Sequence, residues 1–258
     1  MHAMGRLSPN RPIAHRGLHD ARRGVIENSA SAFRAAIAGG YGIETDIQAA
    51  ASGEPVIFHD ERLERLTGTE GELASFTAEH LRRIPLRDTA DRIPTLAEFL
   101  RLVDGRAPLF LEIKSLGGAD RTLERRVAEE LAHYRGPASV MSFDPGSVTA
   151  MLHFAPHVPR GLSAMRFMQV AMPGLTTLHR FRLTHMLDIA AVKPDFLTYE
   201  VNGLAVMGPA LRRRFPHLPI ITWTVRTAED RRKARRFADA MIFEGFRPSP
   251  DEMAVANR

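Results

Sequence analysis

The sequence has no cysteine among its 258 residues and only one tryptophan. The absence of cysteine excludes disulfide bonds and thiolate metal sites. No uninterrupted apolar stretch reaches the roughly 18 residues that a membrane-spanning helix requires. The first six residues do not begin an apolar segment of the kind that marks a secretory signal. On these absent signals we expect a cytoplasmic protein.

Basic side chains outnumber acidic ones, which gives a formal net charge of +5. The densest basic run covers residues 231–236. Such a run is typical of a solvated helix face, and it also allows a weak contact with an anionic membrane surface. We expect no nucleic-acid partner, because aromatic residues are not interleaved with the basic ones and no binding motif is recognised.

Short apolar runs alternate with helical patterns along the chain. Most of the runs are apolar at consecutive positions, as expected of parallel strands that are buried on both faces. A ninth run, residues 55–59, follows the second run too closely for a parallel crossover, so it predicts a hairpin that turns at Ser52 and Gly53. The remaining eight runs predict an α/β fold, a (β/α)8 TIM barrel. They are residues 12–16, 42–47, 109–114, 138–142, 161–164, 195–199, 220–225 and 240–243.

The length and the 44% hydrophobic content are enough for one large core, so we expect a single domain over residues 1–258. Residues 49–107 are too long for a normal βα connection and predict an insertion over the C-terminal mouth of the barrel, made of the hairpin and helices. Thr95 and Glu98 predict a capping box for one of these helices. Helices are predicted near residues 77–83 and 96–103, and also at 29–37, 120–134, 176–191 and 228–237.

Three acidic side chains lie in predicted barrel strands. Glu44 and Asp46 alternate along the second strand, so both point to one face. Glu112 occupies the third strand, where it either joins them or forms a structural salt bridge with Lys114. Buried carboxylates without partners are costly, and oxygen ligands suit Mg²⁺ or Ca²⁺. The three acids therefore predict a site for a hard divalent cation.

Two histidines end predicted strands at the same edge, which is where barrel enzymes carry their active sites. His15 follows the first strand, and His59 ends the hairpin strand. An imidazole can accept or donate a proton near neutral pH. A lone histidine at a strand end is more often structural, so the convergence of both with the acids is what makes them candidate catalytic residues. The sequence leaves open which one acts as the acid and which as the base.

The order of these motifs resembles the glycerophosphodiester phosphodiesterase family. The resemblance implies that the three acids bind the metal ion and that the two histidines transfer protons. It is specific over residues 12–115 and weaker beyond, and the chain departs from the family pattern after the last strand, at residues 243–246. The motifs that carry it are His15-Arg16-Gly17, Glu27-Asn28, Glu44-Thr45-Asp46, His59-Asp60 and Leu111-Glu112-Ile113-Lys114.

Four further side chains are candidates for substrate binding. Arg16 and Lys114 suit the oxygens of a phosphodiester, although both would also neutralise the acids. Glu27 is placed by its motif to touch the metal shell, to orient Arg16 or to hold a glycerol hydroxyl. Trp223 either packs in the core or, as the resemblance implies, forms an apolar wall for glycerol.

Two residues are candidates for supporting roles around these groups. Asn28 either caps the helix that follows or supports the site. Asp60 is placed to orient His59 or to fix the loop after it.

The resemblance implies cleavage of a glycerophosphodiester to glycerol 3-phosphate and an alcohol, with Mg²⁺ or Ca²⁺ as cofactor. Two alternatives stay open: a lysophospholipase D-like enzyme that acts on lysophospholipids, and a barrel that binds a phosphodiester without catalysis. Water and the neighbouring glycerol hydroxyl are both possible nucleophiles. The alcohol headgroup and the oligomeric state are not predicted by the sequence.

Overall fold

Eight parallel strands close into a barrel in the computed structural model, which describes residues 11–115, 120–169 and 176–248. The ring closes because β1 pairs with both β2 and β9. The ninth strand, β3, pairs antiparallel with β2 as a hairpin. The predicted (β/α)8 barrel is confirmed. The strands are β1 Ile13–Ala14, β2 Gly42–Ala49, β3 Pro55–Ile57, β4 Leu109–Ile113, β5 Ala138–Ser142, β6 Arg160–Ala164, β7 Phe196–Glu200, β8 Ile220–Val225 and β9 Ala240–Phe243.

Helices follow the strands and cover the barrel, and none of those described is long and apolar enough to cross a membrane. They are α1 Ala30–Ala38, α2 Glu64–Thr67, α3 Ala78–Leu81, α4 Leu96–Val103, α5 Thr122–His133, α6 Pro145–Phe154, α7 Thr177–Thr184, α8 Ile189–Val192, α9 Val201–Arg214 and α10 Ala228–Phe237.

Side-chain caps fix where several of these helices begin. The predicted capping box of Thr95 and Glu98 is present at the start of α4. Ser29 caps α1 by accepting a hydrogen bond from the backbone N–H of Ala32, so Asn28 is not the cap. The predicted single helix over residues 176–191 was wrong. The chain forms α7 and α8 instead, because Met186 adopts a left-handed backbone (φ 49°) that a continuous helix does not allow.

The segment between β2 and β4 contains its own small apolar core. This core joins the hairpin to α2, α3 and a 3₁₀ turn at Leu73–Ser75, and it includes Val56, Phe58, Leu66 and Leu81. Helix α4 instead packs against α1 and α5 in the outer ring of helices. The small core thus supports the loop that carries His59, next to the ends of the first barrel strands.

Candidate active site

Three carboxylates meet at the C-terminal ends of β2 and β4. The register of the two strands sets Asp46 opposite Glu112, and Glu44 lies two residues earlier on β2. Glu44 and Asp46 are buried and Glu112 is half-buried, and one oxygen of each lies within 4.8 Å of the others. Alternation along the strand therefore turns the predicted acids into one cluster, as the sequence spacing indicated.

Two cations contact this cluster. Lys114 places Nζ 3.1 Å from Oδ1 of Asp46 and 3.0 Å from Oε1 of Glu112. Arg16 has a left-handed backbone (φ 54°), its N–H donates to Oε2 of Glu44 at 3.0 Å, and its Nε lies 3.4 Å from Oδ2 of Asp46. Burial alone would raise the pKa of Asp46, but Lys114 and Arg16 hold it below its ordinary range. Asp46 is therefore ionised at neutral pH.

The pKa of Glu44 is shifted in the opposite direction. Its burial, followed by the nearby charges of Asp46 and Glu112, raises its pKa well above the ordinary value. The pKa of Glu112 is raised as well, first by burial. Lys114 and Arg16 therefore do not balance the negative charge of all three carboxylates. Three carboxylates with excess negative charge fit a hard divalent cation such as Mg²⁺ or Ca²⁺, which prefers oxygen ligands.

His15 lies at the edge of the cluster, with Nε2 3.9 Å from Oε2 of Glu44. Its Nδ1 lies 2.7 Å from Oε2 of Glu244. Burial opposes ionisation of Glu244, yet the interactions with His15 and Arg226 bring the pKa of this carboxyl to about 2. An ionised acceptor requires Nδ1 of His15 to carry the proton, which leaves Nε2 for exchange on the side of the cluster.

Burial lowers the pKa of the His15 imidazole below its ordinary value, although the hydrogen bond to Glu244 opposes this. The sequence did not single out Glu244 as a partner of His15. The signal was available, since Glu244 directly follows β9 and the ends of neighbouring parallel strands meet at one edge of the barrel.

His59 is held by a carboxylate in a similar way. Its Nδ1 lies 2.7 Å from Oδ1 of Asp60, as predicted for an orienting carboxylate. The positive charge of a protonated His59 acts on Asp46 and Glu112, so this ring also lies by the cluster. The structure therefore brings both histidines to the carboxylates.

Arg65 on α2 links two of the predicted site residues. Its guanidinium donates to Asp60, with Nε 2.5 Å from Oδ2, and to both oxygens of Glu27 at 2.8 and 2.9 Å. Glu27 in turn accepts from Nη1 of Arg16 at 2.5 Å. Burial opposes ionisation of Glu27, but Arg65 and Arg16 bring its pKa to about 2. Three roles were left open for Glu27. Its contacts in the structure are with the two arginines, which corresponds to the role of orienting Arg16.

Sequence reasoning missed Arg65, which lies in a four-residue helix outside the motifs that were compared. Asn28 supports the cluster directly, because its Nδ2 donates to Oδ2 of Asp46 at 2.9 Å and its Oδ1 accepts from Thr45. Its left-handed backbone (φ 56°) suits an asparagine at this turn.

Trp223 lies in β8, two residues before the end of the strand. Its ring meets Phe143 edge to face at 5.4 Å, and Phe143 meets Phe167 in the same way at 6.0 Å. Trp223 and Phe143 are both half-buried. The three rings, which we call the aromatic edge, lie directly after β5, in β8 and in the turn after β6.

Within the described residues, a second group of metal-ligand atoms lies within 4.8 Å, in His15, His19 and Glu244. Nε2 of His19 is buried and has no hydrogen-bond partner. Glu244, however, accepts from Nη2 of Arg226 at 2.8 Å, and this positive charge opposes a cation there. The cluster of three carboxylates is the better cation site.

Comparison with known proteins identifies the family of the chain. The model of the glycerophosphoryl diester phosphodiesterase family matches residues 15–246, a range that includes both histidines, all three acids and Glu244. The chain belongs to this family. Curated relatives include the glycerophosphodiester phosphodiesterases of Caldanaerobacter subterraneus (33% identical over 160 residues) and Bacillus altitudinis (31% identical over 164 residues). The matches cover 58% and 59% of this chain and 65% and 66% of the relatives, so the chain spans less than two thirds of their length.

Solved structures of the family share the fold. A phosphodiesterase of Oleispira antarctica in complex with sn-glycerol-3-phosphate matches with a TM-score of 0.74 at 19% identity, over 90% of this chain and 92% of that chain. The glycerophosphodiester phosphodiesterase of Thermotoga maritima matches with a TM-score of 0.68 at 24% identity, over 94% of both chains. At these identities the likeness supports the barrel itself.

Proposed function

We propose that this protein hydrolyses glycerophosphodiesters to glycerol 3-phosphate and an alcohol, with the help of a divalent cation. The observation that carries the proposal is the meeting of two carboxylate-oriented histidines with a three-carboxylate cluster at one end of a barrel. Family membership supports the same reaction class. The Oleispira relative binds sn-glycerol-3-phosphate, the proposed product.

Glu44, Asp46 and Glu112 would hold the cation, which when bound supplies positive charge to a phosphate oxygen. Arg16 and Lys114 lie around the same carboxylates, so they are placed to draw the anionic diester to the mouth and to stabilise charge on its oxygens. Glu27 contributes by holding the guanidinium of Arg16 in place, rather than by contacting the cluster.

His15 and His59 would divide the two proton transfers between them. Each has its Nδ1 fixed by a carboxylate, so each presents Nε2 as the exchanging atom. One imidazole accepts the proton of the nucleophile, and the other donates a proton to the departing alkoxide. The lowered pKa of His15 favours its neutral form at pH 7 and hence the role of base.

Trp223 and Phe143 would provide the apolar wall against which the carbon atoms of the glycerol moiety rest. Flat rings pack against carbon–hydrogen faces and leave hydroxyl groups to polar neighbours. This places the phosphate on the side of β1, β2 and β4, with the glycerol towards β5 and β8.

The proposal is tested by release of glycerol 3-phosphate from a panel of glycerophosphodiesters that differ in the alcohol. The protein is first treated with EDTA, and Mg²⁺ or Ca²⁺ is then restored separately. We expect no release after EDTA and recovery with one of the two ions. Full turnover in the presence of the chelator would contradict the role of the carboxylates.

The nucleophile is tested with the same substrates by ³¹P NMR during turnover. Attack by the neighbouring glycerol hydroxyl would give a cyclic phosphate before glycerol 3-phosphate appears. Attack by water would give glycerol 3-phosphate directly, with no cyclic intermediate at any time. The two routes share the same acid and base, so His15→Ala and His59→Ala should slow both.

A second candidate function is the same reaction on lysophospholipids. The aromatic edge of Trp223, Phe143 and Phe167 favours it, because these rings give one side of the mouth an apolar lining. Equal or faster turnover of a lysophospholipid than of glycerophosphocholine would support it. Turnover confined to soluble diesters would assign the enzyme to the first function.

A further inference from the structure

His59 lies beyond the end of its strand, β3. The last backbone hydrogen bond of the hairpin runs from the N–H of Phe58 to the C=O of Asp46 at 3.1 Å. The next backbone hydrogen bond along the described chain is at Glu61, whose C=O accepts from the N–H of Leu73 at 2.8 Å. The imidazole on this stretch therefore depends on side chains for its position.

Gln48 binds the backbone on both sides of His59. Its side-chain Nε2 donates to the C=O of Phe58 at 2.9 Å and to the C=O of Asp60 at 2.8 Å. Both partners are carbonyl oxygens, which only accept, so the group that faces them must be the NH2 of the amide. An amide NH2 has two hydrogens, and here they serve the carbonyls of the residues that flank His59.

Gln48 also ties this loop to the strand that carries two of the acids. Side chains alternate along β2, so Gln48 follows Glu44 and Asp46 on the same face. One strand thus carries two of the three carboxylates and the amide that holds the His59 loop. The amide therefore fixes where His59 lies relative to the carboxylate cluster.

The role of Gln48 differs from that of Asp60. Asp60 binds Nδ1 of His59 at 2.7 Å and so sets the direction of the ring, but it is the neighbouring residue in the same loop. Arg65 holds Asp60 from α2, a helix that belongs to the same insertion. Gln48 links the loop to a strand of the barrel, where the carboxylates lie.

The hairpin itself is held without the Gln48 side chain. Its two strands pair at three positions, and the backbone of Gln48 takes part in one of them, opposite Val56. Val56 and Phe58 are buried in the small apolar core of the insertion. A role confined to folding the hairpin would therefore not need an amide whose hydrogens both point at the His59 loop.

From these contacts we propose that Gln48 is a positioning residue for His59 and acts on proton transfer without touching the substrate. The inference rests on the proposed function, in which His59 is one of the two groups that transfer protons. Misplacement of a reacting group by about 1 Å can cost up to about 10²-fold in rate. Loss of the Gln48 amide should therefore lower the rate of the chemical step rather than the affinity for the substrate.

Gln48→Met tests the inference, because methionine has a similar length and volume but no hydrogen to donate. We expect kcat for release of glycerol 3-phosphate to fall by about 10- to 100-fold, with KM changed by about twofold or less. Gln169→Met is the matched control, since this glutamine is exposed in the turn after β6, and it should retain the wild-type kcat. Thermal unfolding followed by circular dichroism verifies that both variants are folded.

Double variants separate the positioning of His59 from a general structural role. In the His59→Ala background, Gln48→Met should reduce kcat by no more than about twofold, because the group that the amide positions is already gone. In the His15→Ala background, the same substitution should reduce kcat by its full factor. An equal loss in the two backgrounds would overturn the inference, and so would an unchanged kcat in Gln48→Met itself.

A measurement that needs no turnover keeps the inference separate from the proposed function. In ¹H–¹³C NMR spectra, the ring signals of His59 and His15 are assigned from their absence in the two alanine variants. Gln48→Met should shift and broaden the His59 signals and leave those of His15 in place, and unchanged His59 signals would overturn the inference. Wild-type protein that hydrolyses no diester, with this change confined to His59, would reject the proposed function and leave Gln48 as the residue that positions His59.

Discussion

The two sides of the barrel mouth are built on different principles. The side formed by β1, β2, β4 and the loop after β3 is a network of charged groups, in which Arg16, Glu27, Arg65 and Asp60 are joined in sequence by hydrogen bonds. The side formed by β5, β8 and the turn after β6 is aromatic and ends in exposed apolar side chains. Under the proposed function, the first would bind and polarise an anion, and the second would shape the space beside it.

If the proposed function is right, this difference would assign substrate specificity and the chemical step to separate parts of the chain. The charged side uses residues whose positions depend on one another, so a change in one group displaces others. The aromatic side uses packing, which tolerates substitutions of similar volume. Substitutions on the charged side should therefore alter the rate of the chemical step, and substitutions on the aromatic side should alter the choice and affinity of substrate.

The largest effect is expected on the charged side, at the histidines. His15→Ala or His59→Ala should lower kcat by about 10²–10⁴-fold, because each removes one of the two proton transfers. His153→Ala is the matched control, since this histidine is exposed on α6, away from the mouth. Release of glycerol 3-phosphate measures all three. Turnover of His15→Ala at the wild-type rate would remove His15 from the mechanism.

Arg65→Ala should have the next largest effect, although Arg65 does not touch the carboxylate cluster. Its loss frees both Asp60, which orients His59, and Glu27, which orients Arg16. Because small misplacements of reacting groups can cost up to about 10²-fold, we expect kcat to fall by about 10- to 100-fold with a smaller change in KM.

Arg65→Lys and Arg62→Ala sharpen this test. Lysine cannot make the forked contacts of a guanidinium, so Arg65→Lys should recover only part of the rate. Arg62 is exposed and pairs with Glu64 on the surface, so Arg62→Ala should leave kcat unchanged. Equal rates for Arg65→Ala and the wild type would show that the charged side does not behave as one network.

Glu27→Gln should change how stability depends on pH. The pKa of Glu27 in the folded protein is about 2, below its ordinary value of 4.5, so its ionised form stabilises the fold above pH 4.5. That contribution is lost as the pH falls through about 2, and it amounts to up to about 3 kcal/mol.

The variant should therefore have a lower free energy of unfolding than the wild type at pH 7. This difference between the two proteins should become smaller towards pH 2. Urea unfolding at pH 7 and at lower pH measures the difference in free energy of unfolding. A constant difference across this range would mean that the charge of Glu27 contributes nothing to stability.

The smallest effect is expected on the aromatic side. Trp223→Leu retains an apolar side chain but removes the flat ring that meets Phe143. We expect KM for a glycerophosphodiester to rise by roughly tenfold or less, with kcat largely retained. Steady-state kinetics separates the two constants. A loss of kcat comparable to that of His15→Ala would remove the distinction between the two sides.

Much of the charged side was predictable because local rules suffice for it. Alternation along a strand fixes that Glu44 and Asp46 face together, and the pairing of parallel strands brings Glu112 beside them. Burial on both faces reveals parallel strands as continuous apolar runs, so the eight strands and the hairpin were found at nearly their observed bounds. The roles given to these residues stay predictions until they are measured.

The parts that were missed depend on contacts between distant segments. Arg65 is recognisable only when α2 is folded over the mouth, because its partners lie 38 residues before it and five residues before it. Glu244 meets a histidine 229 residues earlier in the chain. The break between α7 and α8 follows from the backbone of a single residue, Met186, in a segment whose residues suit a helix on average.

The ring of strands closes over only two residues, Ile13 and Ala14, between β2 and β9. His15 follows them, and both its N–H and its Nδ1 are held by the far end of the chain, at Phe243 and Glu244. A chain still emerging from the ribosome has His15 from the outset, but the imidazole is oriented only after the last strand has joined the first. Activity in this protein would therefore report that the barrel has closed, and a chain that ends before β9 should be inactive even with both histidines present.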